Sequence, residues 1–258
     1  MTSLPTPPTS PQTQTLRGWF WIRDAFFLLK QQPKAWLMLA GCHFLVSALM
    51  HFLPGIGQLL AVLCAPAFLA GFLYAAVGQQ MGIPPRWQQL FAGFRLQPVP
   101  LLTVGVYYLV GMVLAAIVLG IGLGIWGHSV PAESDALLRS AQSVDGQMTV
   151  LLIGFLLFLL PVALAYWLAP ALVVFQGLPA LRAMWLSLLT ALKHWPAVLL
   201  YLVLMAALLG LAIIPFGLGL PIWLPVALLT VFTAYCDLFQ QPAPQPMVPE
   251  QDTAHFLD

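Results

Sequence analysis

The sequence predicts an all-α polytopic membrane helix bundle. Six transmembrane helices form three parallel helix-hairpin repeats, each preceded by an interfacial amphipathic helix. Three observations predict it. The chain of 258 residues is 61% hydrophobic and 7% charged, with mean hydropathy +0.92, whereas soluble domains carry about 25% charged residues. Apolar runs dominate from Ala35 onward, each long enough to cross a hydrocarbon core of about 30 Å at ~1.5 Å per residue. Counting six runs also places nearly all cations on one side. So few charges cannot cover the surface of a soluble fold. That excludes a cytosolic enzyme, a nucleic-acid binder with a basic face, and a disordered chain. The net charge of +1 by itself points to no partner.

Residues 1–15 are rich in Pro, Thr, Ser and Gln and read as a disordered tail, without the positive start and apolar core of a secretory signal. A single transmembrane domain then covers 16–240, with spans over roughly 35–53, 56–78, 99–125, 148–175, 196–214 and 218–237. Uncharged turns at Pro54-Gly55-Ile56-Gly57 and around Pro215-Phe216-Gly217 suit tight helical hairpins. A longer polar loop, about 127–147, holds His128, Glu133, Asp135, Arg139 and Asp145. Residues 241–258 read as a second disordered tail.

The cations give the orientation. Arg17, Arg23, Lys30 and Lys34 precede the first span, Arg86 and Arg95 lie between the second and third, and Arg182 and Lys193 between the fourth and fifth. Only Arg139 falls on the other side. Lys and Arg accumulate in cytoplasmic loops, so both termini are expected in the cytoplasm. An odd number of spans would destroy this partition.

Three segments align without gaps: 26-FFLLKQQPKAWL-37, 91-FAGFRLQPVPLL-102 and 189-LTALKHWPAVLL-200. Each has a cation three residues before a proline, giving Lys30/Pro33, Arg95/Pro98 and Lys193/Pro196. A proline in the first turn of a helix forfeits no hydrogen bond. The returning spans carry Pro66, Pro170 and Pro225. The expected repeat units are about 17–80, 86–176 and 178–239. In 86–95, Trp87, Leu90, Phe91 and Phe94 share one helical face. In 17–31 the polar residues Arg17, Arg23, Asp24, Lys30 and Gln31 form a narrow stripe, and in 181–195 Arg182 and Lys193 share a face. Such helices lie in the membrane interface, aromatic side down and cations toward anionic headgroups.

Chemistry-bearing patterns are sparse. The phosphate-loop, His-Glu-x-x-His and Gly-x-Ser-x-Gly motifs are absent. No charge falls in the middle of a span; Asp237, nearest to one, reads as a helix-end carboxylate in water. His43 and His51 are eight residues apart, about 80° around a helix, and read as packing residues. Cys42, Cys64 and Cys236 read as small apolar side chains with no metal or disulfide spacing. A divalent-ion site at His128 with Glu133, Asp135 and Asp145 reads as less fitting than plain solvated acids. Gly120 and Gly124 form a Gly-x-x-x-Gly that permits close helix contact, and Pro161 joins the other span prolines as a kink site.

The segment Leu-Phe-Ala-Gly-Phe-Arg at 90–95, the Lys30-to-Pro33 spacing and the Pro-Gly-Ile-Gly turn at 54–57 resemble a family of proteobacterial six-span integral inner-membrane proteins of unknown function. The resemblance covers about 16–240 and implies an inner-membrane location, with no catalytic residue to carry over. A looser similarity to the membrane domains that accompany bacterial glycerophosphodiesterases transfers no activity, because no hydrolase domain is present.

The functional expectation is a non-enzymatic membrane protein, without cofactor, metal or nucleic-acid partner. It acts through membrane lipids or a protein partner in the envelope, with Arg17, Arg23, Lys30, Lys34, Arg86, Arg95, Arg182 and Lys193 as headgroup contacts. The alternative is a transporter or permease subunit for a small apolar or neutral solute, suggested by the kinking prolines and by Gln58, Thr103, Tyr107 and Tyr108.

Overall fold

The computed structural model describes residues 11–129, 144–214 and 216–239. Those residues are helical throughout, joined by turns. In chain order they form α1 (Pro11–Gln31), α2 (Pro33–His51), α3 (Ile56–Gln80), a 3-10 turn (Trp87–Phe91), α4 (Ala92–Leu96) and α5 (Pro98–Ser129). Then follow α6 (Val144–Trp167), α7 (Ala169–Gln176), α8 (Ala180–Lys193), α9 (Trp195–Ile213) and α10 (Leu220–Leu238). Six stretches are long and apolar enough to cross a membrane: Pro33–His51, Ile56–Gln80, Pro98–Ile121, Leu157–Gln176, Trp195–Ile213 and Leu220–Leu238. Five coincide with the expected spans within four residues; the fourth, expected from 148, begins at Leu157.

The prolines set the helix starts. Gln32 and Gln97 adopt nearly the same backbone angles, φ −140 ψ 63 and φ −142 ψ 54, and each is followed by a proline that begins a span. A residue before proline is pushed out of the α region, so the chain breaks there and restarts. The third break falls at His194, and Pro196 lies in the first turn of α9. Pro66, Pro161 and Pro225 lie inside α3, α6 and α10, whereas Pro170 opens α7 after a break at Leu168. The turn between α2 and α3 needs both its glycines: Gly55 has φ +74, and a Cβ on Gly57 would collide with the carbonyl of Met50.

The segments expected at the interface are built into the bundle. Helix α1 packs on α9 and α10, burying Trp21, Ile22, Ala25, Leu28 and Leu29. It begins at Pro11, inside the stretch expected as a solvated tail. Segment 86–95 is a 3-10 turn followed by the five residues of α4, not one amphipathic helix. Proline brackets the window at Pro84, Pro85 and Pro98, leaving too few residues for a stable α-helix. It wedges against α3, with Leu90 and Gly93 buried and Phe91 and Phe94 edge-on to Phe68. Helix α8 packs on α6 and α7. Each approach segment thus lies against a hairpin other than the one it leads into. The centre of the polar loop, with Glu133, Asp135 and Arg139, lies outside the described residues, as do the side chains of His128 and Asp145 and residues 1–10 and 240–258.

Candidate functional site

One end of the bundle collects the polar groups. The starts of α2 and α9 meet the ends of α3, α7 and α10 there, through side chains far apart in sequence. Gln79 accepts from Trp36 Nε1 at 2.6 Å and donates through Nε2 to the Leu28 carbonyl and Gln31 Oε1, both at 2.9 Å. Gln176 Nε2 donates to the Tyr235 hydroxyl at 3.1 Å. Arg17 Nε donates to Asp237 Oδ2 at 2.8 Å and its Nη2 to Oδ1 at 3.0 Å, while Trp21 Nε1 donates to Oδ2 at 2.8 Å. Asp237 is therefore a paired carboxylate with its side chain 19% exposed, where the sequence suggested a solvated helix end.

Among the candidate headgroup contacts, Arg17 is drawn inward by this pairing, its side chain 15% exposed. Arg23, Lys30, Lys34, Arg86, Arg95, Arg182 and Lys193 are all exposed. Arg23 bonds its neighbour Asp24 at 2.9 Å and sits over the Phe20 ring. At the same end Trp19, Trp87, Trp185 and Trp195 are exposed, the last two to 62%. Cations beside half-exposed tryptophans are the side chains that settle at headgroup depth. The opposite turns carry exposed Phe52, Ile56, Ile214, Phe216 and Leu218 and no charged residue among those described.

A second feature lies in the middle of the bundle. A cavity of about 350 Å³ is lined by His43 of α2, Ala65 and Leu69 of α3, a run of α6 from Leu160 to Trp167, Val198, Tyr201 and Leu202 of α9, and Ala227, Leu228 and Val231 of α10. A neighbouring one of about 370 Å³ shares His43 and continues along Phe44, Ser47, Ala48 and His51, with Leu224 of α10 opposite. The walls hold no Asp, Glu, Lys or Arg. Their few polar groups are mostly satisfied within the chain: Tyr201 OH pairs with Thr230 Oγ1 at 3.0 Å, and His51 Nδ1 with the Ser47 carbonyl at 2.7 Å. The exceptions are His43 Nδ1 and Trp167 Nε1, both buried without a hydrogen-bond partner; the His43 ring stands edge-on to Phe68 and Phe72.

The residues that suggested transport lie elsewhere. Gln58 and Tyr107 are exposed, Thr103 bonds the Val99 carbonyl in its own helix at 2.8 Å, and Tyr108 packs on Tyr166. Sequence reasoning separated His43 from His51 by rotation and overlooked Ser47 between them. Spaced four apart, the three residues trace one slowly turning stripe. The cysteines are unpaired, with Cys42 and Cys64 partly buried and Cys236 buried. Among the described residues no group of three or more His, Cys, Asp or Glu could hold a metal ion. A Cβ at Gly120 would meet nothing within 4 Å, so the close contact expected there is not made by that glycine; Gly124 lies beyond the described side chains.

The chain is similar to a protein of Burkholderia thailandensis described as a probable inner membrane protein, with 27% identity over 238 residues, 86% of this chain and 88% of the relative. No family model matches the chain, and no solved structure matches it.

Proposed function

We infer that this chain resides in a bacterial inner membrane and works without catalysis, by gathering anionic phospholipids at its basic end. The observation that carries the reading is the shared end of the exposed cations and tryptophans, seven of the eight candidate cations being exposed there. A polybasic surface attracts anionic lipid by about 1 kcal/mol per charge. The basic end then faces the cytoplasm, with both termini on that side. Six candidate spans and the similarity to a probable inner membrane protein support the location.

Native mass spectrometry tests it, on the chain exchanged into mixed phosphatidylglycerol and phosphatidylcholine. The expected result is preferential retention of phosphatidylglycerol, lost in an Arg86→Gln, Arg95→Gln, Arg182→Gln, Lys193→Gln variant. Equal retention of both lipids by the unaltered chain would end the reading.

The mid-bundle cavity of about 350 Å³ favours a second reading, a transporter or permease subunit for a small neutral solute. Solute efflux from proteoliposomes above the rate of protein-free vesicles would support it. No such difference across a panel of neutral solutes would count against it.

A further inference from the structure

The headgroup reading makes no use of the two cavities that meet at His43. We propose that together they hold one single-chain amphiphile, with its hydrocarbon tail in the mid-bundle cavity and its polar head beside Ser47 and His51, at the end opposite the basic belt.

Four observations converge on that occupant. The walls carry no charged side chain. A charged solute would surrender its hydration there without a partner, whereas a hydrocarbon chain loses nothing. Each cavity exceeds the ~300 Å³ at which ligand pockets begin. The cavity is also a gap among spans, because α6 packs on α5, α7 and α8, while α9 and α10 pack on α1 and each other and α10 also on α2 and α3, which leaves α6 apart from α9 and α10. Ala163 of α6 and Leu202 of α9, which line it, are exposed, so a chain can enter sideways from the bilayer.

The polar stripe gives the direction. His43, Ser47 and His51 all border the outer cavity, and eight residues of helix carry it about 12 Å from mid-span to the helix end. His51 is exposed there, at headgroup level. The unpartnered Nδ1 of His43 marks the junction, a buried polar atom that the protein alone leaves unsatisfied. A ligand with a polar head and an apolar tail matches that order of surfaces.

The test is photolabelling of the full chain in phosphatidylcholine nanodiscs with palmitic acid carrying a diazirine near its methyl end. Label is expected on the α6 and α9 residues that face the cavity, Tyr166 and Tyr201 foremost, and excess oleate should compete it away. Filling the space with Ala163→Phe or Ala65→Phe should each cut labelling about tenfold. Ala163 is exposed, so at least that variant should fold, and a thermal melt confirms it. Arg182→Gln and Lys193→Gln should leave the labelling unchanged, which separates this site from the headgroup reading. Label confined to lipid-facing positions such as Leu199 and Val203, or labelling indifferent to both filling variants, would overturn the proposal.

Discussion

The hydroxyl of Ser187 stands in the backbone ladder at Leu168. It accepts the Leu168 N–H at 3.0 Å and donates to the Leu164 carbonyl at 2.7 Å, bridging the two groups that an unbroken helix would join directly. Pro170 removes the next N–H but one, and α6 ends and α7 begins around this point. A polar side chain from a neighbouring helix re-satisfies the opened backbone where no water reaches it. Ser187 is fully buried and fixes α8 against the break between α6 and α7.

Ser187→Ala should therefore leave one buried N–H and one carbonyl without their partner and destabilise the bundle by about 1–3 kcal/mol. A thermal melt in detergent reads the loss. A variant as stable as the parent would mean that the break closes on its own.

The Arg17–Asp237 pair should behave as a unit. Both groups are mostly shielded and Trp21 adds a third hydrogen bond, so removing one partner strands the other. Arg17→Gln and Asp237→Asn are each expected to cost more than an exposed ion pair, whose worth is about 0–1 kcal/mol. Their double-mutant cycle should show coupling of roughly 1–3 kcal/mol. Strictly additive losses would show that α1 is held on α10 by its apolar face alone.

The spans were legible because length and apolarity are local properties, and so were the helix restarts at Gln32 and Gln97, where proline constrains its predecessor. The pairing of Arg17 with Asp237 was not, because 220 residues separate them and nothing local distinguishes a paired carboxylate from a solvated one. Ser187 was equally silent: a lone serine in an amphipathic segment carries no sign of the helix it will enter. The expectation that 17–31 and 181–195 are interfacial helices came from reading their cations. It passed over Gly18, Ala25, Ala183 and Ala191, the small buried residues that let α1 and α8 approach other helices. The cavities needed the packing of five helices, which no single segment encodes.

Close approach at Gly18 can be checked directly. A Cβ there would collide with the Ala197 carbonyl and the Tyr201 amide, backbone groups that cannot rotate away. Gly18→Ala should push α1 off α9 and destabilise by about 1–3 kcal/mol. Gly120→Ala, with nothing within 4 Å, should stay within about 0.5 kcal/mol of the parent. Equal melting of the two variants would refute the tight α1–α9 seam.

The last expectation is electrostatic. His194, just before α9, sits below its ordinary pKa of 6.5, first because it is partly buried and then because Arg17 and Lys193 are near, with Asp237 pulling the other way. The folded state therefore binds this proton less readily than the unfolded chain does. The contribution to stability is complete above pH 6.5 and declines as the pH falls from there toward the lower folded value. The two partners should shift the titration in opposite senses: Arg17→Gln raises the His194 pKa toward its ordinary value, and Asp237→Asn lowers it further. A histidine-labelled NMR titration in detergent reads both, with the resonance assigned by its loss in His194→Gln. Shifts of the same sign in the two variants would mean that burial changes outweigh the charges, and that Arg17 and Asp237 hold the helix ends without setting the local field.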